Sequence, residues 1–223
     1  MAWDQLMSPG GGSVISSVVA IAVSAMATSS TWSGAARPGE LVHVDVKKLA
    51  GIPDGGGWRI HGRGHAPPTK RSTVGYRFIH TAVDDRTRLA YSEILTNEQG
   101  ATAAGFWHRA HAWFAAHGIR VERALTDNGS CYRSRAWRNA LEATGVVHKR
   151  TRPYRPQTNG KVERFHRILL EEWAYIRDWT SDHQRQAAYD GFIHFYNHHR
   201  SHGALGPATP ASTLRDNLPA EHN

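Results

Sequence analysis

LVHVDV, residues 41 to 46, alternates strictly, with Val42, Val44 and Val46 on one face and His43 and Asp45 on the other. β-Branched residues in a period of two predict a strand with one face in a core. Aspartate is depleted in strands, and a partly buried carboxylate is costly unless something neutralises it, so Asp45 needs a partner.

Downstream, GIPDGGGWRIHGRGHAPP (51 to 68) is too rich in glycine and proline for regular structure and reads as a long excursion between strands. YRFIHTAV (76 to 83) and RLAYSEIL (88 to 95), joined by DDRT, predict a hairpin with Asp84 and Asp85 as turn residues. Thr96 to Gln99 resembles a capping box opening a helix with Phe106, Ala110, Trp113 and Phe114 on one face, stopped by Gly118. VERALT (121 to 126) predicts a strand. Ser134 caps a helix bearing Trp137 and Leu141 and ended by Gly145, and VVHKR (146 to 150) is the last strand. A helix from Thr158 carries the stripe Val162, Phe165, Leu169, Trp173 and Ile176. Residues 182 to 200 predict a final amphipathic helix, and ALGPATPAS (204 to 212) a proline-punctuated tail. The order is β-β-β-α-β-α-β-α plus a C-terminal helix, an α/β class.

With 223 residues, 40% of them hydrophobic, the chain can bury one full core. Lysine and arginine outnumber aspartate and glutamate by 27 to 19, giving a net charge of +8 and pointing to a polyanionic partner. A single cysteine, Cys131, excludes a disulfide framework and a thiolate zinc site, and is read as a small core residue. None of the cations lies in residues 1 to 36. There SVISSVVAIAVSAM (13 to 26) is short for a membrane span, which needs about 20 apolar residues, and lacks the basic flank of a secretion signal. Residues 1 to 36 are therefore expected to be a disordered or foreign leader, 37 to 200 the folded core and 201 to 223 a tail.

Asp127 ends a strand before Asn128-Gly129, and Glu163 lies in the first turn of a helix. Turn chemistry and the helix dipole explain these two acids individually. If strand 41 to 46 lies beside strand 121 to 126, with the helix from 160 across their ends, the three carboxylates converge. Converging anions stay ionised by holding a divalent cation, and oxygen-only ligands suit Mg²⁺ or Mn²⁺. Seven cations from Lys149 to Arg167 surround Glu163. Arg152, Arg155, Lys161, Arg164 and Arg167, with Tyr154 interleaved, are candidate phosphate-backbone contacts. Gln157 and Thr158 are candidates for sugar or base edges, and Asn159, with Gly160, for the loop before the helix. His194, His198, His199 and His202 lack a cysteine or well-placed acid to complete a zinc site.

HVDVKK around Asp45, LTDNGSCY around Asp127 and RPYRPQTNGKVERFHR around Glu163 resemble the retroviral-integrase-type (DDE) catalytic core of insertion-sequence transposases, especially the IS481-like group. Between Asp127 and Glu163 lie 35 residues, the interval of that family, and the resemblance spans residues 38 to 214. It implies an RNase H-like fold with a mixed central sheet flanked by helices, and Asp45, Asp127 and Glu163 as catalytic metal ligands. Two Mg²⁺ or Mn²⁺ ions are expected with DNA bound. The implied reaction is cleavage at transposon ends and strand transfer by a 3′-hydroxyl. The implied partners are transposon-end and target DNA and further copies of the chain, with no membrane and no small-molecule substrate, in the nucleoid of a bacterial cytoplasm. Family members carry a helix-turn-helix region ahead of the core, where this chain has the leader without lysine or arginine. A truncated or frame-shifted transposase with poor end recognition is expected. Two rival readings are a catalytically idle DNA-binding or assembly fragment and a hydrolytic nuclease of the same fold.

Overall fold

The structure, a computed structural model, describes residues 34–62, 74–151 and 159–217. Residues 1–33 of the expected leader and the expected DNA contacts Arg152, Tyr154, Arg155, Gln157 and Thr158 lie outside the described residues, whereas the end of that leader is tied to the fold, Ala35 N donating to Asp85 Oδ2 at 2.6 Å. The elements are β1 (Val42–Ala50), α1 (Trp58–His61), β2 (Tyr76–Asp84), β3 (Ala90–Leu95), α2 (Gly100–Ala116) and β4 (Arg123–Thr126). They continue with α3 (Arg135–Ala143), β5 (Val147–Arg150), α4 (Gly160–Leu169), α5 (Asp182–Ala187), α6 (Tyr189–His198) and α7 (Pro210–Asn217).

The strands form one sheet in the order β3-β2-β1-β4-β5, antiparallel across β3-β2-β1 and parallel across β1-β4-β5. This is the mixed sheet of an RNase H-like fold. Alternation along β1 sorts the two cores. Val42 and Val44 join Phe106 and Trp107 of α2 and Trp137 and Leu141 of α3 on one face. Leu49, with Ile79 and Val83 of β2, joins Val162, Phe165 and Leu169 of α4 and Phe192 and Tyr196 of α6 on the other. Asp45, in phase with Leu49, therefore belongs to the face that α4 covers.

Several boundaries differ from expectation. The first turn of α2 is not a Thr96 capping box. Asn97 Oδ1 accepts from Gln99 N at 2.9 Å and Thr102 Oγ1 at 2.6 Å, and Gln99 is the N-cap. The expected stripe holds through Trp173 but not at Ile176, which is 61% exposed. After α4 the chain forms a π turn over Leu170–Ala174, closed by Tyr175 N donating to Leu170 O, and the helix ends there. Widening one turn shifts the register by a residue and rotates the next positions out of the apolar face. The expected helix over 182 to 200 is two helices meeting at Ala188. The proline-punctuated segment contains α7, whose Leu214 enters the α2–α3 core. Among the described residues no helix is long and apolar enough to cross a membrane.

Candidate active site

Asp45 lies in the middle of β1, where its Oδ1 accepts from Val46 N at 2.9 Å. β4 runs parallel to β1, with Val42 opposite Ala124 and His43 opposite Leu125, and delivers Asp127 just past its C-terminal end. There the chain turns sharply, because Asp127 Oδ1 accepts from Gly129 N at 2.8 Å. A Cβ on residue 129 would stand 2.9 Å from that oxygen, so any other residue there would make the Asp127 carboxylate shift. Glu163 comes from the first turn of α4 and is exposed, as is Asp127.

The electrostatics tie the three together. Burial raises the Asp45 carboxyl most, the Val46 N–H lowers it, and the charges of Asp127 and Glu163 both push it up again, to about 7. Asp45 thus feels the charges of two acids carried by other segments of the chain. His166, also on α4, places Nδ1 3.6 Å from Asp45 Oδ2. Burial and then Lys47 push that imidazole down to about 3, so it is neutral, and at that distance the contact is neither a hydrogen bond nor an ion pair. Its Nε2 is buried without a partner.

Among the described residues no three His, Cys, Asp or Glu side chains close around a single point as a metal cage. The donor set nonetheless fits a hard divalent cation: it offers three carboxylates, two of them exposed, and the charges of those two add to the cost of ionising Asp45, which such an ion relieves.

Sequence reasoning missed how α4 is anchored. Asn159, expected at a DNA-facing loop, is only 3% exposed, and its Oδ1 meets His43 Nδ1 at 3.0 Å. His43 Nε2 reaches Asp85 Oδ1 at 2.8 Å. The N-cap residue thus faces inward because β1 offers it a buried partner. Asp84 and Asp85 are more than turn residues, being 0% and 1% exposed. Asp84 accepts from Gly39 N, Thr87 N and Thr87 Oγ1 at 2.7 to 2.8 Å. Burial would lift the Asp85 carboxyl, but bonds from His43 and Ala35 N and the charges of His43 and Lys161 outweigh it and hold the group at about 2. The available signal was His43 itself, a polar residue on the Asp45 face of an apolar strand.

The other expected residues fall in three places. Lys161, Arg164 and Arg167 lie on α4, the latter two exposed. Cys131 is a buried core residue whose thiol is raised to about 11 by burial and then by the Asp127 charge. His194 and His199 approach at 3.3 Å between Nε2 atoms, with His198 stacked on His194, whereas His202 is turned away into the fold.

The chain is similar to known proteins. The Integrase core domain family matches residues 35–156, and a second family of the same description matches residues 144–210. A Spiroplasma virus SpV1-C74 protein described as an integrase (ORF3) is 26% identical over 160 residues, covering 66% of this chain and 44% of its own length. The transposase InsD of insertion element IS2 from Escherichia coli is 34% identical over 94 residues, covering 41% of this chain and 30% of its own. The chain therefore spans less than half of either relative. The HTLV-2 integrase catalytic core solved with magnesium superposes with a TM-score of 0.55 at 12% identity, over 80% of this chain and 98% of that one, a likeness of fold. Matched over more than half of its length, this chain belongs to the Integrase core domain family.

Proposed function

We propose that this chain is the catalytic core of a DDE transposase of the IS481-like group, cutting and joining DNA strands at transposon ends. The observation that carries the reading is the carboxyl of Asp45 in β1, raised first by burial and then by the charges of Asp127, just past β4, and Glu163 of α4. Asp45, Asp127 and Glu163 would hold divalent ions, Mg²⁺ or Mn²⁺, whose contribution when bound is to polarise the phosphoryl oxygen and favour the ionised attacking oxygen. The reaction is an in-line displacement at phosphorus. Water in cleavage, or a 3′-hydroxyl in joining, forms the new P–O bond and loses a proton, while the leaving 3′-oxygen departs and gains one.

The chain's own residues orient that exchange. Lys161, Arg164 and Arg167 line one side of α4 beside Glu163 and would grip the backbone of the bound strand. His43, Asn159 and Asp85 fix the start of α4 against β1, so Glu163 approaches Asp45 from a held helix rather than a loose loop. Transposon ends and target DNA are the partners this reading requires. Further copies of the chain would assemble on that DNA in the nucleoid.

The test is an assay of nicking and joining on labelled duplexes with Mg²⁺ or Mn²⁺. Asp127→Asn and Glu163→Gln should each lower the rate by about two to three orders of magnitude with folding intact. Unchanged rates in both variants would reject the proposal. A second reading, a DNA-binding fragment that assembles without cutting, is favoured by the open spacing of the three carboxylates. DNA binding by the wild-type chain with no cut product under either metal would establish it, and cut but unjoined strands would point to a nuclease.

A further inference from the structure

Beside Glu163 lies a cleft of about 530 Å³ between α4, the turn after β2 and the segment following α6. Arg88, Lys161, Arg164, Arg167 and Arg200 line it, with Glu163 the one carboxylate among its described lining residues, so its charge is strongly positive. Two of its lining groups are unsatisfied in a way that open surface does not explain. Arg88 Nη1 is buried and donates no hydrogen bond, standing 3.7 Å from Asp85 Oδ1, beyond hydrogen-bond reach. His202 is only 7% exposed, and its Nε2 is also buried without a partner. An unpaired buried donor costs roughly 1 to 3 kcal/mol, and native proteins keep few of them.

Arg88 carries a further cost. It is the only non-glycine residue with positive φ among the described residues, at +65°, a conformation that favours glycine. The turn holds it there through Asp84, which accepts from Thr87 N and whose carbonyl accepts from Arg88 N at 3.0 Å. Keeping an arginine where glycine would relax the backbone calls for a use of its side chain. Arg200 is partly occupied, its guanidinium gripping Glu172 at 2.7 to 2.9 Å, which aligns it rather than freeing it. Burial first, then Arg200 and Arg88, hold the His202 imidazole down at about 4, and the Tyr196 backbone carbonyl takes the N–H of the neutral ring, so its buried Nε2 is a lone pair and Arg88 is the inner donor of the cleft.

We propose that this cleft is a built seat for one backbone phosphate of the DNA strand passing Glu163, with Arg88 as its inner donor and Lys161, Arg164 and Arg167 at its mouth. A backbone phosphate accepts from several donors at once, which matches convergent cationic N–H groups better than an apolar ligand does. The proposal rests on the reading of the chain as a DNA-acting core, and it adds Arg88, which lies far from α4 in sequence, to the contact set. Seating a phosphate here fixes the register of the strand relative to Glu163, which is positioning and not chemistry.

The experiment measures binding of a labelled duplex by the full chain across a salt series in EDTA, so that no cutting is needed. Arg88→Gly relieves the positive φ and should leave the thermal midpoint unchanged or higher. It should weaken binding about tenfold and reduce the salt slope by about one. Replacing single phosphates by neutral methylphosphonates along the strand should reveal one position that weakens the wild-type chain but not Arg88→Gly. Unchanged affinity and slope in Arg88→Gly, with the wild-type chain binding normally, would overturn the seat alone. Protection of the wild-type chain by inorganic phosphate, with DNA affinity indifferent to Arg88→Gly, would reassign the cleft to a free anion and overturn it too. Failure of the wild-type chain to bind DNA at all would overturn the proposed function with it.

Discussion

Asp45, on β1, and Asp85, just past β2, are both drawn into the fold and are driven in opposite directions. Asp85 is matched by His43, Ala35 N and the Lys161 charge, and its carboxyl lies near 2, below the ordinary value of about 3.9. A depressed carboxylate stabilises the fold above its unfolded pKa and loses that contribution as pH falls through the folded one. Asp85→Asn should therefore lower stability at neutral pH and leave the variant and parent converging between about pH 4 and 2, read by acid unfolding curves. Parallel curves at every pH would exclude Asp85 as the source. Asp45 is raised to about 7, so the folded protein holds a proton there that the unfolded chain has shed. Its destabilising effect grows as pH rises from about 4 to about 7 and is complete above that. Asp45→Asn should then raise metal-free stability at pH 8 by about 1 to 3 kcal/mol. It should also abolish the gain in thermal midpoint that Mn²⁺ gives the parent. If Asp45→Asn is no more stable than the parent and is equally stabilised by Mn²⁺, Asp45 is neither strained nor a metal ligand.

At the scale of elements, periodicity was legible in the sequence and local hydrogen bonding was hidden. The alternation of β1 placed Asp45 and His43 on one face, and the hairpin, α2, α3 and β4 were readable from period and caps. Ser134 accepts from Trp137 N at 3.1 Å as its position before α3 suggested. Ile176 was unreadable because no residue type announces a π turn, and helical spacing assumes that every turn is alike. α7 was hidden by its own prolines. Pro210 occupies the first helical position, where a missing N–H costs nothing. Thr209 and Ser212 exchange bonds as a capping box, Ser212 Oγ accepting from Thr209 N and Thr209 Oγ1 from Ser212 N. The register shift makes a clear contrast. Trp173 is 2% exposed and donates from Nε1 to Arg185 O at 3.0 Å, so Trp173→Ala should cost about 3 to 5 kcal/mol by chemical denaturation. Ile176→Ser should stay within about 0.5 kcal/mol of the parent. Equal losses at the two positions would mean the helix continues unbroken past residue 174.

In the whole fold, the sheet order brings β1 and β4 side by side while α4 packs on β1 and β2, which is how Asp45 comes to feel the charges of Asp127 and Glu163. That convergence was legible from three motifs and an interval. The buried Asp85–His43–Asn159 chain and the Arg88–His202 cleft were not, because each joins segments far apart in sequence through side chains with ordinary local explanations. Asp45, Asp127 and Glu163 are held to act as one unit. Groups that act together fail together, so their losses do not multiply. DNA cutting and joining should therefore be compared between Asp127→Asn, Glu163→Gln and the triple variant that also carries Asp45→Asn. Each single variant should already be nearly as slow as the triple one. Losses that multiply from one substitution to the next, or a single variant that cuts at the parental rate, would show that the three carboxylates work apart.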